Sequence, residues 1–101
     1  MAKNEAKVLC ETPTPTKKGT RIPQWKFHAV RAAIRKVVPR SKEGIEFREL
    51  PELVEQALSP DDCRNLGSIT WHTVTVKLHL EVIGEIERIP GSKPQRIRRV
   101  R

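Results

Sequence analysis

The 101-residue chain has no tyrosine and only two tryptophans and two phenylalanines, so aromatic residues make up 4% of it. A core with so few rings must rest on Ile, Leu and Val, and it leaves little room for a large substrate cleft. Two cysteines, Cys10 and Cys63, are too few for a disulfide framework. Reduced thiols in a cytoplasmic protein are the simpler expectation. No apolar run approaches the ~20 residues that cross a bilayer, and Val8-Leu9-Cys10 is too short for the apolar centre of a signal peptide. A glycine loop able to cradle phosphate is missing. Cys63, His72 and His79 lack the paired short spacings and the fourth ligand of a zinc site. A Cys–His pair would need a third orienting group that the sequence does not offer. We expect no cofactor, no metal and no catalytic activity.

What is present is positive charge. Twenty Lys and Arg against twelve Asp and Glu give +8 and a pI near 10.1, a balance that favours encounter with polyanions. Its distribution is segmental. Residues 12–42 hold nine bases and no acid, residues 43–62 hold seven acids and one base (Arg48), and Lys93–Arg101 hold five bases and no acid. One reading has the first two blocks facing each other across the fold. The terminal block has no such counterpart.

Residues 1–20 include Thr12-Pro13-Thr14-Pro15-Thr16, which cannot nucleate a helix. We expect a flexible basic arm there, with Lys17, Lys18 and Arg21 free to meet phosphates, and one domain over residues 21–101. From Pro23 to Val38 the spacing is helical, with Trp25, Ala29, Ala32, Ala33 and Val37 near one stripe and Phe27, Val30 and Ile34 widening it. Pro39 ends it. Ile45-Glu46-Phe47 reads as a short extended piece. Leu50, Leu53, Val54, Ala57 and Leu58 then give one buried helical face, with Glu49, Glu52 and Glu55 on its first turns. Ser59-Pro60-Asp61-Asp62 breaks the chain or starts another short turn.

Residues 68–83 carry two patterns at once. Val74 to Val82 alternates apolar and polar residues, as a strand would. Trp71, Val74, Leu78 and Val82 also make one helical stripe, and Val76, Leu80 and Ile83 another. The residues beyond Ile83 favour the helix, because Gly84 sits where a helix-ending glycine belongs. Glu85–Ile89 then reads as a strand, Pro90–Pro94 as a turn, and Gln95–Arg101 as a returning basic strand. The sum is an α+β chain, a winged helix-turn-helix of three helices with a short strand on the N-terminal side and a C-terminal β-hairpin wing.

Leu80-Glu81-Val82-Ile83-Gly84-Glu85-Ile86-Glu87-Arg88, with a Gly-containing turn and Arg96 after it, resembles the junction of recognition helix and wing in many winged-helix regulators. The region Arg21–Arg101, with its Ser68–Leu78 run, is also similar to a family of small uncharacterised bacterial proteins, a domain of unknown function. The first resemblance implies a third helix lying in the major groove and a hairpin leaning on the backbone. On that scheme His72, Thr75 and His79 face the bases with Lys77 at the edge. Lys93, Arg96, Arg98, Arg99 and Arg101 contact phosphates. None of the base-facing set is the bidentate Arg or Asn that discriminates strongly, so sequence specificity is expected to be weak, with affinity and salt dependence set by the wing.

Two features oppose that scheme: Glu81 and Glu85 stand at the foot of the reading helix, and the second helix is acidic. The alternatives are a protein-interaction or dimerisation module acting through that acidic helix, without nucleic acid, and a basic hairpin that binds RNA by shape and charge. Trp71 and His28 are read as packed side chains. No small-molecule ligand and no membrane contact are expected.

Overall fold

The computed structural model describes residues 6–14 and 18–101; the expected role of Lys17 lies outside them. Helix α1 (Gln24–Val37) comes after two short strands, β1 (Lys7–Cys10) and β2 (Thr20–Pro23). After α1 come β3 (Ile45–Glu46), a single 3-10 turn (Phe47–Glu49), α2 (Leu50–Ala57), α3 (Pro60–Leu66), α4 (Ile69–Val82), β4 (Ile86–Arg88) and β5 (Arg96–Arg99). The architecture is α+β, with four helices and two small antiparallel sheets.

Two elements depart from the sequence reading. Residues 7–10, expected in a flexible arm, pair antiparallel with β2, Val8 opposite Ile22 and Leu9 opposite Arg21. The strand is only four residues long and its partner lies beyond the Pro-Thr segment, so local pattern carries almost no trace of it. Cys10 closes the strand against the core, 1% exposed, and burial pushes its thiol up to about 11. The second departure is α3, which makes four helices where three were expected. Ser59 caps it, its hydroxyl accepting the Asp62 N–H at 3.1 Å. Pro60 fits the first turn and Asp61 and Asp62 suit the positive end of the helix dipole.

Residues 69–82 are helical. Ser68 caps α4 by accepting the Trp71 N–H at 3.0 Å, and Gly84 takes the positive φ of 82° that turns the chain out of it. The alternation that mimics a strand arises because α4 is apolar on both sides. Val76 and Leu80 are wholly buried, whereas Trp71 and Val82 stay 45% and 41% exposed. Trp71, read as a packed side chain, therefore lies on the surface.

In α1 the buried residues are Phe27, Val30, Ala33 and Ile34, so the stripe that seemed only to widen the face is its centre, and Trp25 is exposed. These residues meet Leu50 and Val54 of α2, Val76 and Leu80 of α4, and Ile86 and Ile97 of the hairpin in one core. Strand β5 lies between β3 and β4, with Ile97 opposite both Ile45 and Arg88. Gly44 makes this junction possible. Its φ is +58°, and a Cβ there would stand 1.9 Å from the Ile97 carbonyl oxygen.

Candidate nucleic-acid interface

The helix α4, the β4–β5 hairpin and the two residues after it hold all nine residues expected at a nucleic-acid surface, and the fold distributes them unequally. His72 is buried, its Nδ1 donating to the Ser68 carbonyl oxygen at 2.7 Å. His79 is half-buried and its Nδ1 accepts the Glu11 N–H at 3.0 Å, edge-on to Phe27. Thr75 alone of the base-facing set lies on the outer side of α4, half-buried.

Lys77 points the other way. It is 1% exposed, and its ammonium pairs with Glu81, donates to Gln95 Oε1 at 3.3 Å and stands 4.3 Å from the centre of the Phe47 ring. Burial holds the Lys77 ammonium below the usual lysine value, against the opposing pull of Glu81. Glu81 also receives Arg88 Nε at 3.0 Å. Lys77 and Glu81 thus tie the middle of α4 to the turn after β3 and to the wing. Lys77 is inaccessible to a nucleic acid.

The wing cations divide into two groups. Arg96 donates through Nε to the Glu43 carbonyl oxygen at 2.7 Å and lies 3.7 Å from Glu46. Arg98 pairs with Glu87 at 2.6 Å and donates to the Arg40 carbonyl oxygen. Both are spent largely on the fold itself. Arg99 donates to the Val38 carbonyl oxygen at 3.4 Å and Arg101 to that of Ile83 at 2.7 Å. A main-chain carbonyl orients a guanidinium without cancelling its charge. Lys93, at the tip of the hairpin, is exposed.

A second cationic contribution comes from the end of α1, which the sequence reading did not include in the site. The main chain of Arg99 bonds to Pro39, and Arg40 reaches the Val100 carbonyl oxygen at 3.5 Å. Arg40, with Lys36 and Lys42 exposed nearby in the chain, therefore joins Arg99 and Arg101 at one end of the sheet. Among the described residues none of Lys36, Arg40, Lys42, Lys93, Arg99 or Arg101 has a carboxylate within ion-pair distance. The signal that could have found the α1 contribution was the acid-free run of residues 12–42.

Two other α1 cations, Arg31 and Arg35, are paired within the fold. Arg31 grips the buried Glu85 with two hydrogen bonds, at 3.0 and 2.7 Å, and Arg35 adds one at 3.1 Å. The Arg31 hydrogen bonds hold the Glu85 carboxyl below the usual carboxylate range despite its burial. This clamp fixes the corner between α4 and β4 against α1. The basic block thus meets Glu85 rather than the acids of α2. Glu49, Glu52 and Glu55 are exposed and enter no ion pair among the described residues. Charge without an opposite partner among the described residues is thus acidic along α2 and basic in the loop after α1 and at the end of β5.

Among the described residues no helix is long and apolar enough to cross a membrane, and no cluster of three His, Cys, Asp or Glu side chains is placed to hold a metal ion. The model of a protein family described as a family of unknown function, DUF6958, matches residues 7–97. No curated protein and no solved structure matches the chain.

Proposed function

For a chain that belongs to the DUF6958 family, whose function is unknown, we propose binding to the phosphate backbone of duplex DNA, on a winged-helix scaffold and with weak sequence specificity. The element order supports the scaffold: a helix, a short strand, further helices ending in α4, then a hairpin whose second strand lies between the other two. The observation that carries the proposal is the set Lys36, Arg40, Lys42, Lys93, Arg99 and Arg101, cations with no carboxylate partner among the described residues, on a chain of net charge +8. Base reading is assigned no part in it. The outer side of α4 presents Trp71, Val74, Thr75, Leu78 and Val82, with no charged donor among them.

Such binding is electrostatic, so the logarithm of affinity falls linearly with the logarithm of salt, by about 0.9 per phosphate contacted. Fluorescence anisotropy on a labelled random duplex tests it. Replacing Lys36, Arg40 and Lys93 together with Ala should lower affinity at every duplex sequence and flatten the slope by nearly 3, about 0.9 for each lost contact. An unchanged slope in the folded variant removes these residues from the interface, and stronger binding to structured RNA at equal salt would move the proposal to RNA. A second reading, a protein-binding module without nucleic acid, is favoured by the acids of α2 that enter no ion pair among the described residues. It predicts no duplex binding at low salt and loss of a protein partner when Glu49, Glu52 and Glu55 become Gln.

A further inference from the structure

Helix α4 is apolar on two opposite sides, a pattern that belongs to helices covered on both. Its inner side is covered: Val76 and Leu80 are wholly buried in the core. Its outer side is left partly open by the described residues. At 100° per residue Trp71, Val74, Thr75, Leu78 and Val82 fall opposite that buried pair, and Trp71 and Val82 keep 45% and 41% of their surface exposed. The helix's charged side chains, Lys77 and Glu81, turn inward to each other. A surface helix would ordinarily put charge where this one puts Trp and Leu.

The outer side also has a shape. At its C-terminal end Val82 and Leu9 of β1 line a groove of about 500 Å³, closed by Glu11, Thr12, Thr14, Lys18 and Gly19. At its N-terminal end stands the indole of Trp71, about 16 Å away along the axis for eleven residues of helix. The chain therefore carries a knob and a hole on one face. Their positions are symmetric. Trp71 and Val82 share a midpoint on the helix with Thr75 and Leu78, and also with Val74 and His79.

We infer that a second copy of this chain packs antiparallel along α4, each Trp71 entering the Leu9–Val82 groove of the other. A two-fold axis through the common midpoint makes both contacts at once, the self-complementary arrangement of an isologous dimer. Charge points to the same occupant. The helix side itself offers a polyanion no cation, and two copies meeting there bring no like charges together at its centre. The groove rim holds one acid and one base, Glu11 and Lys18. The contact is small, for a helix ~21 Å long and ~10 Å wide provides less than a standard interface needs, even with the β1–β2 hairpin added. Dissociation constants in roughly the micromolar to tens-of-micromolar range are expected.

Sedimentation velocity of the whole chain over a wide concentration range tests the inference. The wild type should pass from monomer to dimer, more readily at high salt, because screening relieves repulsion between two +8 copies. Salt weakens DNA binding, so the two behaviours separate. Trp71→Glu and Val82→Lys, both at exposed positions, should each stay monomeric at concentrations at least tenfold above the wild-type midpoint, with unchanged circular dichroism. Mixing the two variants should restore a dimer, since one contact then pairs Glu with Lys and the other keeps Trp against Val. A wild type that stays monomeric into the hundreds of micromolar overturns the inference, whatever the variants do, and so does a dimer indifferent to both substitutions. Neither result bears on duplex binding by Lys36, Arg40, Lys42, Lys93, Arg99 and Arg101.

Discussion

Replacing Lys77 with Met keeps the length of the side chain and removes its charge. The ammonium is 1% exposed and its partner Glu81 only 9%, so the substitution strands a buried carboxylate. Removing one member of a buried pair costs roughly 3–5 kcal/mol. Arg88 remains 3.0 Å from Glu81, which puts the expected loss near the lower end, about 3 kcal/mol. For a domain of this size that is a fall of roughly 12–24 °C in Tm, a large part of the ~5–15 kcal/mol that holds such domains folded. Urea unfolding monitored by circular dichroism reads it. The double variant Lys77→Met/Glu81→Leu removes both charges and should recover most of the loss, because an apolar pair of similar volume replaces a buried ion pair at little cost. Lys77 also contributes a pH dependence. Its folded ammonium gives up its proton below the ordinary lysine value of 10.5, so in that window the unfolded chain binds more protons and stability rises with pH. Lys77→Met should abolish that rise and leave duplex affinity unchanged. A neutral or stabilising single substitution would refute the buried pair, and a tenfold loss of DNA affinity in a folded variant would refute the burial.

Glu85→Gln should destabilise by about 1–2 kcal/mol, a buried-pair loss discounted because Arg31 and Arg35 are each about one-third exposed. The folded Glu85 carboxyl lies below its ordinary 4.5, so its contribution is complete above that pH and fades as pH falls through the folded value. Acid unfolding of Glu85→Gln should be flatter below pH 4.5, and an unaltered acid limb would show the clamp to be unimportant. Gly44→Ala forces a Cβ into the Ile97 carbonyl oxygen at a φ of +58°. It should cost roughly 2–3 kcal/mol in thermal unfolding, the scale of a strained left-handed residue plus displacement of β5.

The parts of the fold legible in the sequence are those written in local periodicity. Leu50, Val54 and Leu58 announce α2, and Gly84 with the alternating residues after it announces the end of α4 and the hairpin. Strand β1 was hidden because its pairing with β2 spans the Pro-Thr segment. Helix α3 was hidden because a seven-residue helix shows little beyond its cap, although Ser59-Pro60-Asp61-Asp62 is a start signal. The site was less legible than the fold. Lys77 and Glu81, four residues apart, look like an ordinary surface pair, and only the packing of Phe47 and Gln95 around them reveals that they are inside. Arg31 and Glu85 lie 54 residues apart, beyond the reach of any local pattern. Trp71 was read as core because tryptophan usually is, while the side of α4 on which it lies depends on which stripe the core selects.

Binding through backbone phosphates alone is tested most directly by an amide-shift titration of the isotopically labelled chain with a random duplex at low salt. Shifts concentrated at residues 36–42 and 93–101, with the outer side of α4 silent, are the predicted result. Shifts centred on Trp71, Thr75 and Leu78 would contradict it, because they would put the apolar side of α4 in the groove.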